Sequence, residues 1–555
     1  MTARCLGALL VALVGLVGAA KAQDRPSEND MFGAPPPASE PASAPATATT
    51  PATSTATAPA TATATATTTK SEGDSRDQLN MGAPEAATRF SAEVAPEDPL
   101  KIGGQIYLRA QSSAQQGQSA GNWTLSSPSL LDAYMDVRPN DRVRGFVLAR
   151  TIFDPTLPAT ASTSLSTISG GSQNFSTGGA ANLSSLFGAQ ATRTPRVLLD
   201  QMWLRFDIKH TVFVTAGRQH VRWGTARFWT PTDFLHIQHR NPLDVFDART
   251  GTTMIKVHVP WEAQGWNFYA YGLAEGADAT PTASSVAGAA RAEMVWSSAE
   301  LGLGGVVQRG HKPKLAADLS AGIWDLDFYG EVALRFGQDI DRVRFDSSAV
   351  PLTLDPLPTG TVDQTALAQY LGPAVDNLYP VAPGSGVKPQ ATGGVSYSLK
   401  YAANDVFTVG AEYFYNGLGY SDTAVYPGLI LPHSQLLREP ATFFYLGRHY
   451  AALFATAPAP YSWDNTTFTL SNLANLSDRS GITRLDYSLI LLTHLRFEAF
   501  GAVHWGNRNG EFRFGMDTTT LGQYPNPVTG QMVPFQIPGR SPGLFDLGVG
   551  LRVSI

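Results

Sequence analysis

Cysteine is nearly absent: Cys5 is the single one among 555 residues. That excludes a disulfide-stapled fold and thiolate chemistry from everything beyond the first few positions. Long apolar runs are scarce too. Cys5 to Ala20 is the one such run, whereas a helical membrane protein of this length carries several of about 18 residues or more. Charge is sparse, at 15% of residues with a formal net charge of −6. With no long basic run, nucleic acid is not an expected partner. The chain also lacks G-x-S-x-G, a P-loop and H-E-x-x-H, so neither catalysis nor a cofactor is expected. His236 and His239 are three apart but have no cysteine or tightly spaced carboxylate beside them, so no metal is expected either.

What is present begins with Arg4, the apolar run and the small-residue end Ala20-Lys21-Ala22. This has the form of a secretory signal peptide spanning residues 1–22, which implies an exported protein. Residues 23–96 cannot build a core. Ala44 to Thr69 is almost only Ala, Thr, Pro and Ser, so a disordered linker is expected, lying in the periplasm. Met31-Phe32-Gly33-Ala34-Pro35 and Met81-Gly82-Ala83-Pro84 flank it, and chance in a biased segment explains the pair.

From residue 97 to 555 the pattern changes to a period of two. Ile102, Gly104, Ile106, Leu108 and Ala110 alternate with Gln105, Tyr107, Arg109 and Gln111. The rhythm recurs through the chain and closes on Phe545, Leu547, Val549, Leu551, Val553 and Ile555, alternating with Asp546, Gly548, Gly550, Arg552 and Ser554. Period two marks a strand with one apolar and one wet face. About eighteen such strands can be counted, within a range of about sixteen to twenty, with short turns alternating with long loops. The fold expected is all-β: a single transmembrane antiparallel up-and-down β-barrel behind a disordered N-terminal linker. The final strand should pair with Ile102–Gln111 and seal it.

Facing rules then distribute the charges. A lipid-facing arginine at mid-depth costs roughly 2–4 kcal/mol, so the charged face belongs in the lumen. Alternation assigns to it Arg109, Arg138, Arg144, Arg150, Arg205, Arg291, Arg335, Arg484, Arg496 and Arg552. It also assigns Asp132, Asp136, Glu293, Glu331, Glu412, Asp486, Glu498 and Asp546. Two readings of these charges are open: a mutually paired ladder that stiffens the wall, or a modest positive bias favouring neutral or anionic cargo.

The densest chemistry lies between Ala216 and Gly251, which holds Arg218, Arg222, Arg227, Arg240, Arg249, His220, His236, His239, Trp223 and Trp229 against Asp233, Asp244 and Asp247. Guanidinium forks and indole faces suit sugars and anions. The segment is expected to fold into the lumen, either narrowing the pore or pinning itself to the wall. The candidate substrate or pore-lining residues are Arg218, Arg222, Trp223, Arg227, Trp229, Arg240 and Arg249, with Arg109, Arg138, Arg144, Arg335 and Arg496 from the strands.

Gly217-Arg218-Gln219 followed by Trp223-Gly224 resembles a strand-to-loop motif of porin-like outer-membrane barrels, including alginate-export-type channels. Asn475-Leu476-Ser477-Asp478-Arg479-Ser480-Gly481 before a strand, with Glu511-Phe512 after the next hairpin, is similar to such proteins too. The closing Gly550-Leu551-x-Val553-x-Ile555 resembles the terminal assembly signal of outer-membrane barrels, with Ile555 where an aromatic residue is usual. The resemblance spans the chain from about residue 100 onward. It implies a passive channel in the outer membrane of a Gram-negative bacterium, most simply one releasing a polysaccharide, or else a porin taking up small saccharides or anions. A structural barrel with a plugged lumen is the alternative of another class. The implied partners are outer-membrane lipid and lipopolysaccharide, the barrel-assembly machinery, periplasmic polysaccharide-export components and the hydrophilic solute itself.

Overall fold

The computed structural model describes residues 99–157, 163–164, 195–236, 239–243, 249–274, 286–355, 361–362, 364–401, 406–431, 433–435, 437, 442–526, 529–537 and 539–555. The expected signal peptide and linker, most of 158–194, and Asp244 and Asp247 lie outside the described residues.

The alternating segments form strands. In chain order they are β1 (Leu100–Gln115), β2 (Ser129–Asn140), β3 (Val143–Phe153), β4 (Arg196–Ile208), β5 (Val212–Gln219) and β6 (Thr252–Trp261). Next come β7 (Trp266–Leu273), β8 (Ala287–Trp296), β9 (Ala299–Gln308), β10 (Lys314–Ile323), β11 (Leu326–Phe336) and β12 (Val387–Lys400). The last are β13 (Val406–Asn416), β14 (His449–Pro458), β15 (Thr466–Asn475), β16 (Ser480–Leu492), β17 (Leu495–Gly506) and β18 (Gly543–Ser554). Each pairs antiparallel with the next, and β1 pairs with β18, so the eighteen strands close into a barrel. One short extra strand, Thr124–Ser126, adds to the upper end of β1.

The seam has the expected register. Gln105 lies opposite Ser554 and Gln111 opposite Gly548, and the Ile555 amide donates to the Gly104 carbonyl at 2.9 Å. Closure leaves no unpaired edge, which an open sheet of this length would expose. Leu547, Val549, Leu551 and Ile555 are exposed on the outside, while Asp546 and Arg552 are buried inside. The same division holds around the wall: Ile102, Leu108, Met202, Leu204, Ile255, Val307, Leu315, Leu453 and Val503 are exposed. An apolar exterior around a charged interior inverts the soluble arrangement and suits the hydrocarbon of a bilayer. Among the described residues no helix is long and apolar enough to cross a membrane.

The two ends differ. One carries short connections, such as 141–142, 209–211, 297–298 and 493–494; the other carries the segments 154–195, 220–251, 337–386, 417–448 and 507–542. Two connections at the second end are short, 309–313 and 476–479. The sequence pattern shows these segments only as loops, but three of them fold together. Helix α1 (Gln364–Leu378), helix α2 (Tyr426–Ile430) and the strands Leu352–Thr353, Thr519–Pro525 and Met532–Ile537 build a cap. Its core includes Val343, Leu371, Val375, Tyr379, Leu431, Phe535 and Ile537.

The seam generates a prediction. Deleting Val553–Ile555 removes the last rungs of β18 against β1 and β17. Such a chain is expected to lose heat-modifiable migration on SDS gels and its place in the membrane fraction. A normally heat-modifiable barrel from that variant contradicts the closure described here.

Candidate functional site

The 220–251 segment leaves the barrel at the end of β5 and returns at the start of β6. It turns inward because its roots are tied there. The register between β3 and β4 slips at Leu148/Ala149, so Asp200 has no cross-strand partner. Such a bulge re-aims a side chain, and Asp200 is fully buried at 0% exposure. Its Oδ1 lies 3.0 Å from His220 Nε2 and accepts the Gly251 amide at 3.2 Å. Arg150 Nη1 is 3.3 Å from its Oδ2. One carboxylate thus holds both ends of the segment to the wall.

The middle of the segment has no regular secondary structure, so its buried amides need acceptors. Wall carboxylates supply them. Glu331 on β11 accepts the Ala226 amide at 2.6 Å and the Thr232 hydroxyl at 2.7 Å. Glu412 on β13 accepts the amides of Arg227 (2.9 Å), Phe228 (3.1 Å) and Trp229 (2.8 Å), and the Tyr329 hydroxyl at 2.9 Å. The roots sit on the fifth and sixth strands and Glu412 on the thirteenth of the eighteen. The segment therefore crosses the lumen.

Two tryptophans anchor the crossing. Trp223 packs with Met254, Tyr269, Tyr271 and Val306 on the β6–β9 side. Trp229 stacks on Phe414 at 5.7 Å and 15°, lies 5.4 Å from Tyr450, and donates its indole N–H to the Phe444 carbonyl at 3.0 Å. Gly224 makes the first anchor possible. Its φ is +100°, and a Cβ there would lie 2.4 Å from a Glu331 oxygen. Gly217, with φ +126°, likewise lies against the Met202 carbonyl, 2.1 Å from where a Cβ would sit.

The expected site residues separate into groups. Trp223 and Trp229 are buried, so their indoles face protein and offer no surface for stacking on a solute. Arg249 is buried against Asp233 at 2.9 Å, and His236 Nδ1 is 3.1 Å from the same carboxylate. Burial alone would raise the Asp233 carboxyl, but His236 and Arg249 outweigh it and hold it well below the usual carboxylate range. Burial, then Arg249, pushes the His236 imidazole below its ordinary value. Arg222 donates within the segment, to the Ala226 carbonyl. Arg240 is half-buried, and its carbonyl accepts the Tyr445 hydroxyl at 3.2 Å.

Arg218 departs from the expected lining. It is in register with Met202 and Thr253 on the outward face of β5. Its guanidinium bonds the Leu199 carbonyl at 3.2 Å. Directly paired residues share a face, so Arg218 does not line the pore. Arg227 remains. It is exposed inside the barrel, midway between the tryptophan anchors, with its guanidinium 4.2 Å from the Phe454 ring centre.

On the wall, Arg144 chelates Asp136 through two 2.9 Å bonds and Arg138 joins at 3.1 Å. Arg109 lies 4.5 Å over Phe500, Arg335 is buried, and Arg496 is in register with Arg552. Further pairs are Arg150–Asp132, Arg291–Asp318, Arg552–Glu498 and His504–Asp546. The ladder that alternation allows is therefore built, and it consumes acids. Asp200 escaped the pattern because a bulge breaks the period. Glu331 and Glu412 were assigned to the lumen by alternation, but nothing local in the sequence signals that they receive amides from a segment over eighty residues away. Among the described residues no group of three or more His, Cys, Asp or Glu is placed to hold a metal ion.

No family model and no curated protein matches the chain. Among solved structures it is similar to OccAB1 of Acinetobacter baumannii, with 10% identity and a TM-score of 0.43, covering 82% of this chain and 97% of that one. It is also similar to a triple mutant of the Rhodopseudomonas blastica porin, with 10% identity and a TM-score of 0.35, covering 82% and 100%. Likenesses of this size carry nothing about cargo.

Glu412→Ala leaves three amides and one hydroxyl without their acceptor, at about 1–3 kcal/mol for each group that stays buried. The expected result is rapid tryptic cleavage after Arg222 and Arg227 in a barrel that keeps its heat-modifiable migration. Gly224→Val is expected to do the same through steric conflict with Glu331.

Proposed function

We propose that the protein is an outer-membrane channel for hydrophilic solutes, with the 220–251 segment as its constriction. The observation that carries this reading is Arg227, an exposed guanidinium held inside a barrel by a segment anchored on both walls. Glu331 and Glu412 are buried behind the amides they accept and Asp233 is paired with Arg249, so the charge that the crossing exposes is that of Arg227. Such a constriction favours neutral and anionic solutes over cations by electrostatic focusing.

Saccharides are the cargo class favoured. Arg227 presents an exposed guanidinium fork 4.2 Å from the Phe454 ring, whereas Arg109, Arg484, Arg552 and Tyr107 on the β16–β1 wall are buried and are part of its packing. A planar fork of this kind suits sugar hydroxyls as well as anionic groups. Export of a polysaccharide would draw a chain past this fork; uptake of small saccharides or anions would bring them to it one at a time. The proposed setting is a Gram-negative outer membrane, with lipopolysaccharide around the barrel, the barrel-assembly machinery as its folding partner, and polysaccharide-export components reached from the periplasmic side.

Purified protein in a planar bilayer is expected to conduct and to favour anions. Arg227→Gln should lower the anion-over-cation permeability ratio by about two- to five-fold. Absence of conductance, or current indifferent to both saccharides and anions, rejects the channel. A deletion strain that loses surface polysaccharide assigns export; unchanged polysaccharide with slowed solute entry assigns uptake.

A further inference from the structure

At the loop end of the barrel, two carboxyl groups are buried together. Asp478, between β15 and β16, accepts the Ser480 amide (2.9 Å) and hydroxyl (2.6 Å), the Tyr426 hydroxyl (3.0 Å), the Asn475 side-chain amide (2.8 Å) and the Glu511 amide (2.8 Å). Glu511, on the turn Glu511–Arg513, accepts the Leu446 amide (3.2 Å), the Tyr450 hydroxyl (2.6 Å) and the Asn475 side-chain amide (2.9 Å). Both are almost fully buried. Among the described residues neither carboxylate has a cation partner. Arg513, the nearest in sequence, turns away to the Gly506 carbonyl at 2.8 Å and Gln116 at 3.2 Å. His504, on the barrel side of the turn, is taken by Asp546 and the Phe512 carbonyl. Two uncompensated charges in one buried site are far costlier than one.

This site is linked to the constriction. Leu446 and Phe444 belong to one short segment. The Phe444 carbonyl receives the Trp229 indole N–H, and its ring meets Phe512 at 5.3 Å. Phe444 is buried with a φ of +74°, a left-handed conformation that a bulky residue keeps only when its surroundings impose it. Glu511 imposes it from one side through the Leu446 amide, and Phe512 from the other.

We propose that a single proton held by the Glu511–Asp478 pair latches the Phe444–Leu446 segment over Trp229, and that its loss in alkaline medium frees the constriction segment. With the proton in place the pair carries one charge, which the surrounding hydroxyls and amides satisfy. Without it, two carboxylates repel, the Glu511–Arg513 turn lifts, Phe444 relaxes, and Trp229 loses its acceptor. Burial first, then Asp478, pushes the Glu511 carboxyl up to about 8. The folded state therefore binds more protons than the unfolded chain. The latch weakens as pH rises from the ordinary glutamate range through about 8. The latch itself rests on the packing around Phe444; only its consequence for permeation rests on the channel reading.

Hydrogen exchange of the refolded full-length barrel tests the latch without reference to transport. Peptides covering 226–232 and 444–447 are compared between about pH 7 and about pH 9.5, corrected for intrinsic exchange. Wild type should lose about ten-fold protection in both peptides, while Glu511→Gln and Asp478→Asn stay within about two-fold. Glu511→Ala, which loses the accepted bonds, should be unprotected at both pH values. Heat-modifiable migration verifies that each variant is folded. Unchanged protection in wild type overturns the latch, as does equal loss in wild type and both amide variants. Bilayer current recorded in parallel bears on the channel reading alone: an exchange transition with no conductance at any pH leaves the latch standing and rejects the channel.

Discussion

An irregular segment inside a barrel must find acceptors for its own amides, and the rest of the interior is arranged around that requirement. Water satisfies such groups at a surface, and a helix or strand satisfies them internally. The 220–251 segment does neither at its tightest point. Three carboxylates take the place of secondary structure: Asp200 at the roots, Glu331 near Ala226, and Glu412 at Arg227–Trp229. Glu412 receives three consecutive amides, the mirror of the anion cradles that backbones build for phosphates. Glu412 keeps its charge while it takes these amides, but it is buried behind them, and Arg227 is the charge that the crossing exposes.

The crossing and the cap behave as one packed unit. Trp223 joins one wall cluster, and Phe228 and Trp229 join another that includes Phe444, Tyr450 and Phe512. Phe444 comes from the β13–β14 connection and Phe512 from the β17–β18 connection. Long connections thus meet against the β13–β17 side of the barrel. The anchor of Trp229 thus depends on residues of two connections outside the strands.

The barrel was legible because its rule is local. Each strand announces itself by period two, and the two faces follow without knowing the partner strand. The β1–β18 seam, the inward Asp546 and Arg552 and the outward Leu547 to Leu551 all followed from that rule. The rule fails where the period slips. Asp200 lies in the bulge of β4 and has no assigned face by counting. Arg218 follows the outward parity of β5, and only its place in an arginine-rich stretch suggested a pore-lining role. The tryptophans were recognised as special, but sequence cannot distinguish an indole that stacks on cargo from one that anchors a loop. Burial makes that distinction. Helix α1 and the cap strands depend on pairings across the chain, such as Leu352 with Gly522, and no window contains both partners.

Asp200 has one more consequence. Because a single carboxylate bonds His220 at one root and Gly251 at the other, the two ends of the constriction segment meet at one point on the wall. Everything between them is a cassette. The registers of β4, β5 and β6 do not depend on what lies between, since no rung of the wall lies within it. A barrel of this kind separates two tasks: a cylinder whose outside fits a bilayer, and an insert that fills its inside.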